Sequence, residues 1–310
     1  MFSSTRDCAP ENMVDVAVNS KFIAASEVVE TPLRRAARRL CRRKSAVFGL
    51  VVVGFFVALA VFAPLLTPYD PIAQSWTLVR NPPSASHWFG TDDLGRDILV
   101  RVIFGARASL MAGIISVGIA LSIGVPLGLA AGYLGGALDA LIGRMTDAML
   151  ACPFLILAIA LAAFLGPSLG NAMIAIGVTA TPIFVRLTRG QVLAVKMEDY
   201  VEAARAIGNP RWRIVFVHIL PNIMPALLVQ ATLSIAAAII AEAALSFLGL
   251  GQQPPDPSWG SMLNSAQRFL VNAPWMAVWP GLAIFLTVLS FNLVGDGLRD
   301  ALDPREIGRG

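Results

Sequence analysis

The chain has 310 residues, of which 56% are hydrophobic and 14% are charged, and its formal net charge is +4. Soluble domains average about 25% charged residues, so the composition excludes an ordinary water-soluble domain. The charge-free runs point the same way, because one extends over 38 residues. A bilayer span needs only about 20 apolar residues. We therefore predict an all-α membrane protein.

The first 45 residues are polar and end in a basic stretch, residues 34–44, that carries seven positive charges. No apolar signal-peptide core precedes residue 46, so we expect the first span to act as the insertion signal. Basic residues beside a span favour the cytoplasmic side, which places this partly disordered tail, residues 1–45, inside the cell. Nucleic-acid binding is the alternative for a basic run, but its position next to a span favours topology, and we predict no nucleic-acid partner.

Six transmembrane helices are predicted from the charge-free runs, the longest of which is divided at the turn-forming residues 166–171. The predicted spans cover residues 46–66, 106–132, 139–165, 171–189, 222–245 and 276–296. An even number of spans places both termini in the cytoplasm. The transmembrane domain is thus predicted over residues 46–304, followed by a short tail at residues 305–310.

The cytoplasmic loop at about residues 190–221 contains a short predicted helix. Glu198 and Asp199 suit the positive N-terminal end of a helix dipole, and Gly208 followed by Pro210 ends the helix. Four positions at helical spacing form one apolar face of mostly small side chains: Tyr200, Ala203, Ala204 and Ile207. A helix this short is marginal in water and needs a surface to pack on. The spacing alone favours packing of this helix on its own chain, and packing in a groove on a partner protein is the alternative.

One motif runs through this loop: Glu202-Ala203-Ala204, three residues, Gly208, nine residues, His218, two residues and Pro221. It resembles the EAA loop of permease subunits of ATP-binding-cassette (ABC) importers, in which this helix docks onto the ATPase subunit. Further segments are similar to the C-type permeases of dipeptide, oligopeptide, nickel and glutathione importers. They are residues 90–97, 105–110, 245–251 and 292–304.

The resemblance implies the six-helix type I fold of ABC importer permeases, and with it a transmembrane permease subunit that translocates peptides or similar small solutes. It implies as partners a homologous second permease subunit, two ATPase subunits and an extracytoplasmic solute-binding protein, in the lipid bilayer of a bacterial inner membrane. It also implies which residues couple to the ATPase: Glu202, Ala203, Ala204, Gly208, His218 and Pro221.

The sequence itself contains no ATP-binding loop, because a Walker A motif needs a lysine directly after Gly-x-x-x-x-Gly. The three lysines, Lys21, Lys44 and Lys196, all stand in other contexts. We therefore expect no enzymatic activity and no cofactor in this chain, with ATP and magnesium held by the partner ATPase subunits.

The loop at residues 252–260 is rich in proline and is predicted on the outer side. Its stiffness lowers the entropy lost on binding and suits a docking surface for the binding protein. Gln253, Pro255 and Trp259 are the predicted contacts. A plain connection between two spans is the alternative.

Several charged residues near the spans have structural explanations. Asp92, Asp93 and Asp97 are expected to cap and solvate a short helix rather than bind a metal, and we predict no metal site. Arg144 and Asp147 are three residues apart and are expected to form a pair.

Glu242 lies near the outer end of the fifth span, where contact with headgroups or loop amides is expected and a place on the translocation path is the alternative. Gly124, Gly128 and Gly132 have the four-residue spacing of closely packed helices. Uncharged polar residues near the span centres are expected to bond between helices. They are Ser116, Thr179, Gln230, Thr232, Ser234, Thr287 and Ser290.

Two other classes of function compete with a permease. A secondary transporter or channel without an ATPase predicts ionisable residues in mid-membrane for ion coupling, and the spans contain almost none. A membrane scaffold or receptor predicts no EAA-like loop.

Overall fold

A computed structural model describes residues 38–67 and 69–302. The regular secondary structure of these residues is helical, without a strand, which confirms the predicted all-α class. The helices are α1 Lys44–Leu66, α2 Ile98–Leu134, α3 Gly136–Leu150, α4 Phe154–Leu165, α5 Leu169–Val195, α6 Asp199–Ala206, α7 Arg211–Phe247, α8 Trp259–Ala266 and α9 Trp275–Leu302. The predicted tails lie outside the described residues, except for residues 38–45.

Five helices, α1, α2, α5, α7 and α9, are long and apolar enough to cross a membrane. Over the span predicted at residues 139–165 the chain forms two helices, α3 and α4, which are bent by 92° relative to each other. Pro153 stands at the break as the N-cap of α4. Proline lacks an amide hydrogen and cannot continue the preceding helix. The described bundle therefore has five long helices and one bent pair.

Two helices begin well before their predicted spans. α2 begins at Ile98 rather than residue 106, because the Asp97 side chain accepts a hydrogen bond from the Val100 amide at 2.9 Å and caps the helix. α7 begins at Arg211 rather than residue 222. Its first turns include a π-helical stretch, Ile214–Ile219, of the kind that often occurs at functional positions.

The contact between α2 and α5 forms the centre of the bundle. Gly124, Gly128 and Gly132 all face α5, which confirms the close helix packing predicted from their spacing. A Cβ atom built on Gly124 would lie 2.7 Å from Cβ of Phe184, and one built on Gly128 would lie 2.5 Å from Cβ of Thr188. Carbon atoms do not approach so closely, so the two backbones come together only because these side chains are absent.

α1 packs on α9, which in turn packs on α7. Gly49 permits the first contact, because a Cβ there would lie 2.7 Å from the Ser290 carbonyl oxygen. Arg43 and Asp300 form an ion pair where α1 begins and α9 ends. The first and last long helices of the described chain are thereby neighbours.

The polar residues near the span centres mostly bond within their own helices, which contradicts the predicted bonds between helices. Ser116 is the exception, since its hydroxyl donates to the Met173 carbonyl of α5 at 3.0 Å. Five others bond inside their own helix: Thr179, Gln230, Thr232, Ser234 and Ser290. Buried hydroxyls can reach a carbonyl one turn away, which satisfies them without a partner helix. The Thr287 hydroxyl is buried without a hydrogen bond.

The α2–α5 contact leads to a stability prediction. We expect Gly128→Ala to lower the free energy of unfolding by about 1–3 kcal/mol, because the added methyl group overpacks the contact. The measurement is thermal unfolding of the purified transporter complex in detergent. Gly118→Ala is the matched control, since a Cβ on this glycine of the same helix meets nothing within 4 Å. Equal unfolding temperatures for the two variants would contradict the prediction.

Candidate functional site

The short helix predicted in the loop between the fourth and fifth spans is α6, Asp199–Ala206. Its C-terminus has the hydrogen bonds of a Schellman motif. The Gly208 amide donates to the Arg205 carbonyl at 3.0 Å, and the Asn209 amide donates to the Ala204 carbonyl at 3.2 Å. Gly208 has a φ of 82°, in the left-handed region that favours glycine. The predicted role of this glycine in ending the helix is confirmed.

α6 is attached to the bundle by Val201 and Ala204, which are both buried. Tyr200, Ala203 and Ile207 are exposed, with 79% of Ile207 accessible. The single face predicted for Tyr200, Ala203, Ala204 and Ile207 is therefore wrong, because Ala204 turns inward beside Val201. The helix both packs on its own chain and presents a separate apolar surface.

The end of the EAA motif lies in the first turns of α7. His218 is part of the π-helical stretch, and its carbonyl accepts a hydrogen bond from the Asn222 side-chain amide at 2.7 Å. Pro221 is exposed. Ile214 and Ile219 are buried in the main core together with residues of α2 and α5. The motif thus continues from a solvent-facing helix into a core-anchored one.

The opposite end of α2 carries a buried ion-pair cluster. Arg96 Nε lies 2.6 Å from Asp92 Oδ2, and Arg101 Nε lies 3.4 Å from the same oxygen. Arg101 Nη1 also donates to the carbonyls of Pro71 and Pro255, at 2.9 and 3.3 Å. The expectation that these aspartates cap and solvate a helix is confirmed for Asp97, which caps α2, and is wrong for Asp92, which pairs with Arg96 and Arg101 inside the fold. The cluster fastens the loop before α2 to the loop before α8.

Asp93 lies at the edge of this cluster, with its carboxylate 3.5 Å from Arg96. Burial, together with the neighbouring Asp92, raises the pKa of the Asp93 carboxyl above its usual value. Across the described residues, histidines, cysteines and carboxylates do not come together in a group of three that could hold a metal ion.

Only one of the three predicted binding-protein contacts has an exposed position. Trp259 is completely buried, and its indole donates to the Val102 carbonyl at 3.0 Å, so its predicted role in docking is wrong. Gln253 is half-buried and donates to the Gly249 carbonyl at 3.0 Å. Pro255 is exposed. The loop therefore ends in a core anchor at the start of α8.

Glu242 is completely buried, and the predicted interface position is wrong. The Ser109 hydroxyl donates to Oε2 at 3.0 Å and the Ser246 hydroxyl donates to Oε1 at 2.6 Å. The Trp259 amide donates to the Ser109 hydroxyl at 3.4 Å. One carboxyl group thereby joins α2, α7 and α8. The four-residue spacing of Glu242 and Ser246 is a sequence signal that could have predicted their hydrogen bond. Ser109 lies on another helix, and no sequence signal indicates its contact with Glu242.

The pair predicted between Arg144 and Asp147 is wrong, because both acids of α3 bond to α5. Asp147 lies 2.6 Å from Arg186, and Asp139 lies 2.5 Å from Arg189. These ion pairs attach α3 to the cationic side of α5.

The Glu242 network predicts that two substitutions of buried polar residues will differ in their effect on stability. Glu242→Leu leaves two buried hydroxyls without their acceptor, and each such loss costs about 1–3 kcal/mol. We expect a lower unfolding temperature for the transporter complex and less of it in the membrane. Ser290→Ala is the control, because this buried hydroxyl bonds only inside its own helix. A Glu242→Leu complex as stable as the Ser290→Ala complex would contradict the role assigned to this carboxyl.

The five long apolar helices define a class, multi-pass membrane proteins. The small helix α6 lies at one end of their bundle with an exposed apolar face. The chain matches the family model "binding-protein-dependent transport system inner membrane component" over residues 124–308. It also matches "N-terminal TM domain of oligopeptide transport permease C" over residues 31–83.

Similar proteins belong to the same class of transport permeases. The chain is 50% identical over 275 residues to the dipeptide transport system permease protein DppC of Alkalihalophilus pseudofirmus, covering 89% of this chain and 90% of that protein. It is 46% identical over 278 residues to the glutathione transport system permease protein GsiD of Pectobacterium atrosepticum, covering 89% and 92%. The chain belongs to the binding-protein-dependent transport system inner membrane component family, the permease subunits of ABC importers.

A solved structure supports the fold. A chain of the MetNI methionine ABC transporter is similar at a TM-score of 0.56 and 20% identity, over 66% of this chain and 98% of that one. The resemblance found in the EAA-like loop is thus confirmed at the level of family and fold.

Proposed function

We propose that this chain is a permease subunit that translocates dipeptides, or solutes of similar size such as glutathione, across a bacterial inner membrane. The solutes come from the names of its relatives, which are permeases for dipeptides and glutathione. In this proposal α3 and α4 together form a sixth span and both termini are cytoplasmic. The observation that carries the transport mechanism is the divided surface of α6, buried at Val201 and Ala204 and exposed at Tyr200, Ala203 and Ile207.

The divided surface suits a coupling element. The exposed side chains of α6 would enter a groove on an ATPase subunit, because a small, apolar helix face fits such a groove. Val201 joins α6 to Ile214 and Ile219 in the first turns of α7. A displacement of α6 would therefore reach α7, which runs through the bundle to the Glu242 network. ATP binding on the partner subunits would favour one of two arrangements of these helices.

The remaining partners fit the two ends of the bundle. ATP hydrolysis belongs to two separate ATPase subunits, since the sequence carries no Walker A lysine. A homologous second permease subunit would complete the pathway. The binding protein would dock at the end that carries Pro255 and α8, with exposed Pro255 rather than Trp259 in the contact.

The competing function, a secondary transporter or channel, requires ionisable groups near the middle of the spans. Among the described residues, the fully or nearly buried charged side chains are Asp92, Arg96, Arg101 and Glu242. They lie at or near helix ends and neutralise one another or accept hydroxyl donors. Their position favours the ATP-driven permease.

The coupling proposal is tested by two neighbouring alanines with opposite environments. Ala203→Arg places a charge on the exposed face of α6, and we expect a normally folded complex whose ATPase activity no longer responds to the loaded binding protein. Ala204→Arg places the same side chain in the core, and we expect loss of the folded protein, since an unpaired buried charge is strongly destabilising. Protein yield and stimulated ATPase activity separate the two results. An Ala203→Arg complex with normal stimulation would contradict docking by this face.

The topology proposal is tested with reporter fusions. Fusions after Gly166 and after Gln253 are expected to report an extracytoplasmic position, since both residues lie at the end of the bundle opposite α6. A fusion after Lys196 is the control and is expected to report the cytoplasm. A cytoplasmic result at Gly166 would show that α3 and α4 do not cross the membrane together.

A further inference from the structure

An open cavity of about 530 Å³ lies beside α6, at the end of the bundle where α2 and α5 finish. Four segments contribute its walls, each with two residues. They are Tyr133 and Leu134 at the end of α2, Lys196 and Met197 after α5, Arg205 and Asn209 from α6 and the turn after it, and Arg211 and Ile214 at the start of α7.

The charged lining of this cavity is entirely cationic. Lys196, Arg205 and Arg211 line it, and no carboxylate does. The Lys196 ammonium donates one hydrogen bond to the Gly132 carbonyl at 3.0 Å, which leaves its other two donors for a ligand. Neither arginine forms a salt bridge with a carboxylate among the residues that the structure describes. Three positive charges around one concave surface attract an anion.

The cavity also has an apolar side. Leu134 and Met197 are 54% and 68% exposed, and Ile214 closes the wall beneath them. Tyr133 adds a ring with a polar tip, a side chain that suits the boundary between lipid tails and headgroups. A ligand that satisfies both sides combines an anionic group with an apolar part.

We propose that this cavity binds the phosphate headgroup of an anionic phospholipid, with the acyl chains passing over Leu134 and Met197. The two guanidinium groups match a phosphate diester, because each presents paired donors in a planar fork. The cavity lies where two apolar helices, α2 and α5, end, and the proposal places this level at the headgroups of the bilayer. Basic pockets between transmembrane helices are known to bind such headgroups.

The position of the site differs from the surface proposed for the ATPase. Tyr200, Ala203 and Ile207 form the exposed face of α6, whereas Arg205 turns toward the cavity. A lipid and an ATPase subunit can therefore occupy α6 together. The lipid site goes beyond the proposed coupling function, because it needs only that the chain lies in a membrane.

The test compares two lipids with the same acyl chains on the delipidated transporter complex. Dioleoylphosphatidylglycerol and dioleoylphosphatidylcholine are titrated separately, and native mass spectrometry counts the lipid retained on this subunit. We expect preferential retention of phosphatidylglycerol. Arg205→Ala combined with Arg211→Ala should weaken its binding by about 25-fold, from about fivefold for each charge removed. Arg213→Ala is the matched control, since this arginine lies in the same segment but outside the cavity lining.

A second variant separates loss of binding from loss of folding. Arg205→Lys combined with Arg211→Lys keeps the charges, and we expect it to retain phosphatidylglycerol better than the double alanine variant. Unchanged retention in the double alanine variant, or equal loss in Arg213→Ala, would overturn the proposal. Displacement of the lipid by millimolar inorganic phosphate would indicate a soluble phosphate as ligand instead. Retention of the lipid by the permease subunits alone, but not by the complex with its ATPase subunits, would make the cavity a protein interface.

Discussion

The close approach of α2 and α5 is the contact on which the other parts of the bundle depend. Lipid tails are as apolar as the helix surfaces, so the hydrophobic effect cannot drive two helices together inside a bilayer. Close packing has to do so, and the glycine at position 128 allows it by leaving room for Thr188. The ends of these two helices then carry both the cationic cavity and α6. A shift between them would displace every surface proposed here for a partner.

Among the described residues, the strong polar interactions are concentrated at the two ends of the helix bundle. One end holds the Asp92 cluster and the Glu242 network, which join the loops and α8 to α2. The other end holds α6, a helix that ends at Gly208 in a hydrogen-bonded cap. Between them, most of the hydroxyls near the span centres bond within their own helices. A pathway through this middle region would offer weak, unspecific polarity, which suits the passage of peptides with varied side chains.

Predictions from the sequence succeeded where all the residues that determine a feature lie within one helix. The apolar runs, the spacing of the glycines facing α5 and the glycine that ends α6 are local features, and the structure confirms them. It failed where the partner comes from another part of the chain. Arg186 competes with Arg144 for Asp147, and Trp259 turns into the core rather than toward solvent. No local pattern distinguishes Ala203 from Ala204, because only the tertiary packing of α6 makes one of them a buried residue.

The right-angle bend between α3 and α4 makes this part of the bundle short. α4 has 12 residues, and at about 1.5 Å per residue it is about 18 Å long. The hydrocarbon layer of a bilayer is about 30 Å thick. α3 exposes Leu138, Leu141 and Met145, and its Asp139 and Asp147 form ion pairs with α5. In the proposed sixth span, α4 alone would be shorter than this layer, so part of α3 would enter the layer or the bilayer would thin beside α4. Hydrophobic mismatch would then make the subunit sensitive to the acyl-chain length of its membrane.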